Sequence, residues 1–154
     1  MPYSPAVLLD EMRIPVLRVW LRDTWGAWSP VHRKIVIATG LSPVQERCVL
    51  AHELEHVLCD DAACGFGVLG VHQERRADLE AARKLVALSD LAAAAGWAPD
   101  VRAAAAALGV TERVLRIRLH DLRGEGWPWP AASERARRRG SPRHGRRGDP
   151  PLIS

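Results

Sequence analysis

The stretch LSPVQERCVLAHELEHVLCD, residues 41–60, decides how this chain folds. Ser42 precedes Pro43 and Gln45 follows Ser42 by three, which spells a capping box with proline at the first helical position. A helix therefore starts here, and Val44, Cys48, Val49, Leu50, Val57 and Leu58 are apolar enough to bury most of it. Into that apolar setting the sequence places His52 and His56, four residues apart, with Glu53 directly after the first. Positions i and i+4 share a helix face, so both imidazoles can reach one metal ion and Glu53 can reach a water beside it. Buried histidines next to buried carboxylates are costly without a cation, which argues against a merely solvated polar stripe.

A catalytic zinc takes three protein ligands and keeps its fourth position for water, so a third ligand must come from elsewhere in the chain. The best candidate is Glu74, eighteen residues after His56, on the next helix. Asp78 follows it at i+4, placed to accept a hydrogen bond from a ligand histidine and so hold that ring's tautomer. One zinc ion per chain on His52, His56 and Glu74, with Glu53 as general base, implies metal-assisted hydrolysis. His72 and His120 are candidates for stabilising the oxyanion, whereas His32 and His144 have no supporting context. Cys59, three residues after His56, reads as a free buried thiol rather than a ligand.

The flanking segments suggest an α+β fold. IPVLRVWL (14–21) and KIVIATG (34–40) have strand composition, and the segment between them carries Gly and Pro turn signals, with Trp25 and Trp28 flanking the turn or an edge strand and covering the sheet. After a glycine-bearing loop at 60–70, a second helix is expected over 71–88, with Ala77, Ala81, Leu85 and Leu88 as its packed face. Further helices are expected over 89–95, 100–108 and 111–122, with Gly96 and Gly109 as stops.

Length and charge narrow the classes further. A chain of 154 residues with 47 % hydrophobic and 26 % charged residues is long enough for one globular domain, here 1–130, and is neither fibrous nor wholly disordered. Residues 131–154 hold seven arginines against Glu134 and Asp149, so this Arg/Pro/Gly-rich segment, expected to be a disordered tail, accounts for the net charge of +4 and leaves the rest near neutral. The three cysteines are too few and too odd in number for a disulfide scaffold. The four-residue apolar run Ala6–Leu9 is too short for a signal-peptide core, and nothing approaches a membrane span, so a cytoplasmic protein is expected.

QERCVLAHELEHVL followed by HQERRADLEAARKLV resembles the ImmA/IrrE family of metallo-endopeptidases, a gluzincin-like group of bacteria, phages and mobile elements. The resemblance spans about residues 15–122. It implies a zincin-like domain with a small N-terminal sheet, an HExxH active-site helix and C-terminal helices. It also implies His52, His56 and Glu74 as metal ligands, Glu53 as base, and a helix-turn-helix repressor as the protein substrate, cut to relieve repression. Glu80 stands where the family usually has an aromatic residue, and KLVALS replaces its usual helix ending.

One segment points to a different class. AAAALGVTERVLRIRLHDL (104–122) resembles a helix-turn-helix pair, with Gly109 at the turn and Arg113, Arg116 and Arg118 along the second helix. It either reads DNA or packs beside the catalytic cleft and shapes the substrate groove, and the neutral charge of 1–130 favours the groove. The Arg-rich tail either binds nucleic acid weakly and nonspecifically or only keeps the chain soluble. The alternative function is thus a DNA-binding regulator, or a module that binds a repressor without cutting it, with a non-catalytic zinc site.

Overall fold

The computed structural model describes residues 3–60 and 67–123. The expected tail at 131–154 and part of the 60–70 loop lie outside them. The fold is α+β, with six helices and one small sheet among the described residues. Helix α2 (Pro43–Leu58) is its central element. It begins as the sequence requires: the Ser42 hydroxyl accepts from the Gln45 amide at 3.2 Å, and the Gln45 side chain accepts from the Ser42 amide at 2.8 Å.

Two hydrophobic clusters flank α2. On one side Val49, Leu50 and Leu54 meet Trp28, Ile35 and Ile37 of the sheet, with Leu9 and Ile14. On the other, Cys48 and Ala51 meet Ala81, Leu85, Leu91, Leu115 and Leu119. Full burial of a Leu or Ile side chain stabilises by about 1.5–3 kcal/mol, so this double contact pins the helix and whatever polar groups it carries. Of the apolar residues expected to bury α2, Val44 and Leu58 near its ends remain exposed.

The sheet has strands β1 (Val16–Val19), β2 (Gly26–Ser29) and β3 (Lys34–Ala38) in the order β1-β3-β2. β1 runs parallel to β3, and β2 pairs antiparallel with it, Trp28 opposite Ile35. Two elements go beyond the sequence reading. β2 lies in the segment read as a turn or an edge strand and contains Trp28; its four residues, Gly26 to Ser29, carry too little alternation to fix a strand from sequence. The structure also adds α1 (Pro5–Glu11), capped by Ser4 with proline at its first position, the same start that marks α2.

Four helices follow: α3 (Val68–Leu85), α4 (Leu88–Trp97), α5 (Val101–Leu108) and α6 (Glu112–Arg123). α3 starts three residues before the expected 71 and ends at Leu85, so Leu88 is exposed at the start of α4 instead of packing on α3. Gly96 falls inside α4 and does not stop it. Asp100 caps α5, and Gly109 ends it with φ 63, ψ 39, a left-handed conformation that glycine adopts without Cβ strain. Arg47 of α2 donates to the Gly109 carbonyl at 2.8 Å, and the Thr111 amide donates to Cys48 Sγ at 3.4 Å, so the α5–α6 turn is tied to the central helix. The Thr111 hydroxyl then accepts from the Val114 amide and opens α6.

Candidate metal centre

Four of the polar residues that α2 carries into the interior are His52, Glu53, Glu55 and His56, and each meets a specific answer. His56 and Glu53 are buried, at 2 % and 5 % exposure. One turn apart, His52 and His56 bring their Nε2 atoms to 3.2 Å. Glu74 of α3 reaches both, with Oε2 at 3.1 Å from His52 Nε2 and Oε1 at 3.3 Å from His56 Nε2. One ligand atom from each of the three lies within 4.8 Å of the others. A tetrahedral ion with bonds of about 2.0–2.1 Å sets its donor atoms roughly 3.3 Å apart, so these separations suit a small divalent ion. Two imidazoles and a carboxylate are a donor set for zinc-like metals rather than for calcium or magnesium.

Behind these donor atoms, His52 Nδ1 lies 3.0 Å from Asp78 Oδ1. With the Nδ1 proton donated there, the Nε2 lone pair faces Glu74 and His56, the tautomer a ligand needs. Asp78 is held in turn by Arg113 of α6, whose Nη2 donates to Oδ2 at 2.6 Å. Burial works against the charged form of His52, yet the hydrogen bond to Asp78 and the charges of Glu53, Asp78 and Glu74 outweigh it and raise its pKa. Asp78 is lowered: its burial is outweighed by His52 and Arg113. Three carboxylates around two imidazoles make a site that stabilises a positive charge, whether a proton or a metal ion.

Glu53 occupies a different environment from the three candidate donors. Burial pushes its carboxyl above the ordinary value and Glu74 adds to this, against the pull of His52, His56 and a backbone hydrogen bond from Trp28. Strand β2 thus lies directly against the glutamate, and Gly26 makes that approach possible. A Cβ there would stand 2.5 Å from Val49 Cγ1 and 2.9 Å from Glu53 Oε1. Sequence reading treats this glycine as a turn signal; only the packing shows that it opens a strand beside the candidate base.

His52, Glu53, Glu74 and Asp78 line a cleft of about 540 Å³ between β2, α2, α3 and the start of α6. Trp25, exposed and just before β2, stands at its rim, and Thr111, Arg113 and Val114 form the α6 wall. That wall places the expected helix pair beside the cleft. Of its three arginines, Arg113 binds Asp78 and Arg116 is exposed beside Glu112. Arg118 does not lie on the surface face expected of a DNA contact: it is buried, reaching the Val86 carbonyl and Asp121. Its position lies on the same side of α6 as Leu115, Leu119 and Leu122, which turns it inward.

Neither His72 nor His120 lines the cleft; both are exposed, on α3 and α6 respectively. Cys59 is exposed at the end of α2, against the expectation of a buried thiol, while Cys48 is buried. Among the described residues no helix is long and apolar enough to cross a membrane.

A search of curated proteins found no match to the chain. A family model does match: the one described as the IrrE N-terminal-like domain, Peptidase M78, over residues 8–120. That span runs from α1 through α6 and includes the whole His52–His56–Glu74 cluster with Glu53. By this match and by the centre it encloses, the chain belongs to the IrrE N-terminal-like family of metallopeptidases.

Proposed function

We propose that the chain is a zinc-dependent endopeptidase that cuts a helix-turn-helix repressor in the cytoplasm and so relieves repression. The observation that carries the catalytic reading is the convergence of His52, His56 and Glu74 donors beside a buried Glu53 in an open cleft. A divalent metal bound there supplies a Lewis acid for the water and the scissile carbonyl. The chain's own groups do the rest. Asp78 keeps His52 in the tautomer that offers Nε2, and Arg113 keeps Asp78 in place. Glu53, raised in pKa and held by the backbone of β2, takes a proton from the attacking water and returns it to the amine nitrogen as the C–N bond breaks. β2 is an edge strand of the sheet and borders the cleft, so it can align an extended peptide.

Glu53→Gln tests this reading because it keeps shape and removes basicity. Co-expression with a repressor encoded beside the chain should yield a shortened repressor with the wild type and intact repressor with the variant. The zinc content of both should be equal, and the rate should fall by about 10²–10⁴-fold. An equally shortened product from the variant would refute the assignment.

A further inference from the structure

A second concavity, of about 690 Å³, lies between α3 and α6. Half-buried Leu79 and Ile117 form its floor, and Arg75, Arg113, Arg116 and His120 stand around it. Positions 113, 116, 117 and 120 share one face of α6, and 75 and 79 share one face of α3. The acidic residue in the lining, Asp121, is already neutralised from inside, with Oδ1 taken by Arg83 and Oδ2 by Arg83 and Arg118.

The three arginines are differently available. Arg75 is exposed and makes no hydrogen bond or ion pair among the described residues. Arg116 leans on Glu112 at 3.1 Å in an exposed i,i+4 pair, which a ligand can displace at little cost. Arg113 uses one nitrogen for Asp78 and is 72 % exposed, so other donors of its planar fork remain for a second carboxylate. Arg113 also lines the cleft of the metal centre, so the groove and the cleft share that side chain. Guanidinium groups around an apolar floor complement a peptide that alternates carboxylates with an apolar side chain. A nucleic-acid backbone would use the cations and leave Leu79 and Ile117 without a partner.

We propose that this groove is an exosite for an acidic, apolar-bearing segment of the protein substrate, whose chain passes Arg113 on its way to the metal centre. The proposal rests on the peptidase reading and names the kind of sequence that the enzyme selects.

The test uses the full chain carrying Glu53→Gln, loaded with zinc, and three fluorescein-labelled peptides read by anisotropy. One repeats Glu-Glu-Leu-Glu, one has Lys in place of Glu, and one has Ser in place of Leu. The first alone should bind, more weakly as salt rises, and Arg75→Glu with Arg116→Glu should weaken it by about tenfold or more. Arg75→Gln with Arg116→Gln repeats the test with a milder change, with circular dichroism and zinc content held to those of the parent. On the Glu53 background, KM should rise for a quenched peptide bearing the acidic segment and stay constant for a short one that fills only the cleft.

Equal binding of the three peptides, or binding indifferent to both arginine pairs, overturns the proposal. So does tighter, arginine-dependent binding of a short DNA duplex, which would assign the groove to nucleic acid. Stronger peptide binding after Trp127→Ala with Trp129→Ala would assign it to the chain's own C-terminal segment and overturn it as well. If the short peptide is cut normally while the arginine pairs change nothing, the exosite fails and the peptidase reading stands. If no peptide is cut while arginine-dependent acidic binding persists, the peptidase reading is the one that fails.

Discussion

Helix α3 carries two clusters of charge, and they behave in opposite ways. Near its end, Lys84 meets Glu55 at 2.7 Å, and Arg83 meets Asp121 at 2.7 Å, with Arg118 adding a second cation at 2.5 Å. Every acid there has a base, and Asp121 is held below its usual range, chiefly by the hydrogen bond from Arg83. Near the middle of α3, Glu74 and Asp78 join Glu53 around two histidines and one arginine. There burial raises Glu53, and the surrounding carboxylates raise His52 despite its burial. The first cluster closes on itself and joins helices; the second gathers three carboxylates around two imidazoles, a donor set that suits a cation. The donors gathered around the two histidines mark the functional middle of the helix.

The comparison breaks most sharply at a ligand. His56→Ala should lower zinc affinity by on the order of 10³-fold or more, beyond the effect of any partner behind a ligand. Metal analysis after dialysis against a buffered chelator measures it, and retained zinc would strike His56 from the ligand set. Asp78→Asn should cost about 10–100-fold in affinity, because the amide still accepts from His52 but loses its charge and its hold on Arg113. A competitive zinc titration separates the two variants.

The self-contained cluster should respond in stability and leave metal untouched. Lys84→Met strands the buried carboxylate of Glu55, which is 3 % exposed. It should cost about 2 kcal/mol, moderated because the ammonium itself is partly in water. Urea unfolding with zinc present and with chelator present should show the same loss. The smallest effect is a change in pH dependence. Because the folded pKa of Asp121 is depressed, its contribution is present above the usual carboxylate range and is lost as pH falls through the lowered value. Between about pH 5 and pH 2 the melting temperature of Asp121→Asn should therefore fall less steeply than that of the wild type. Parallel curves would show that the Arg83–Asp121 pair contributes nothing measurable.

Much of this was legible before any coordinates. Ser42-Pro43 with Gln45 announced α2, Asp100 and Gly109 bounded α5, and the i,i+4 pairs His52/His56 and Glu74/Asp78 announced the centre. α1 obeys the same rule at Ser4-Pro5, but its seven residues hold too little periodic signal to stand out in the sequence. The pairing of β2, the close approach at Gly26 and the inward turn of Arg118 were not legible, since each depends on a neighbour distant in the chain.

By itself the sequence determined everything that acts within one or two helical turns: caps, faces, and the spacing that aligns two donors on each of two helices. Those effects are local because backbone geometry sets the distance between residues three or four apart. Only the tertiary structure decided which charges would be answered. It laid β2 on Glu53, set Arg113 on Asp78, and closed Arg83, Asp121 and Arg118 on one another. Burial and electrostatic pairing depend on what the rest of the chain brings alongside.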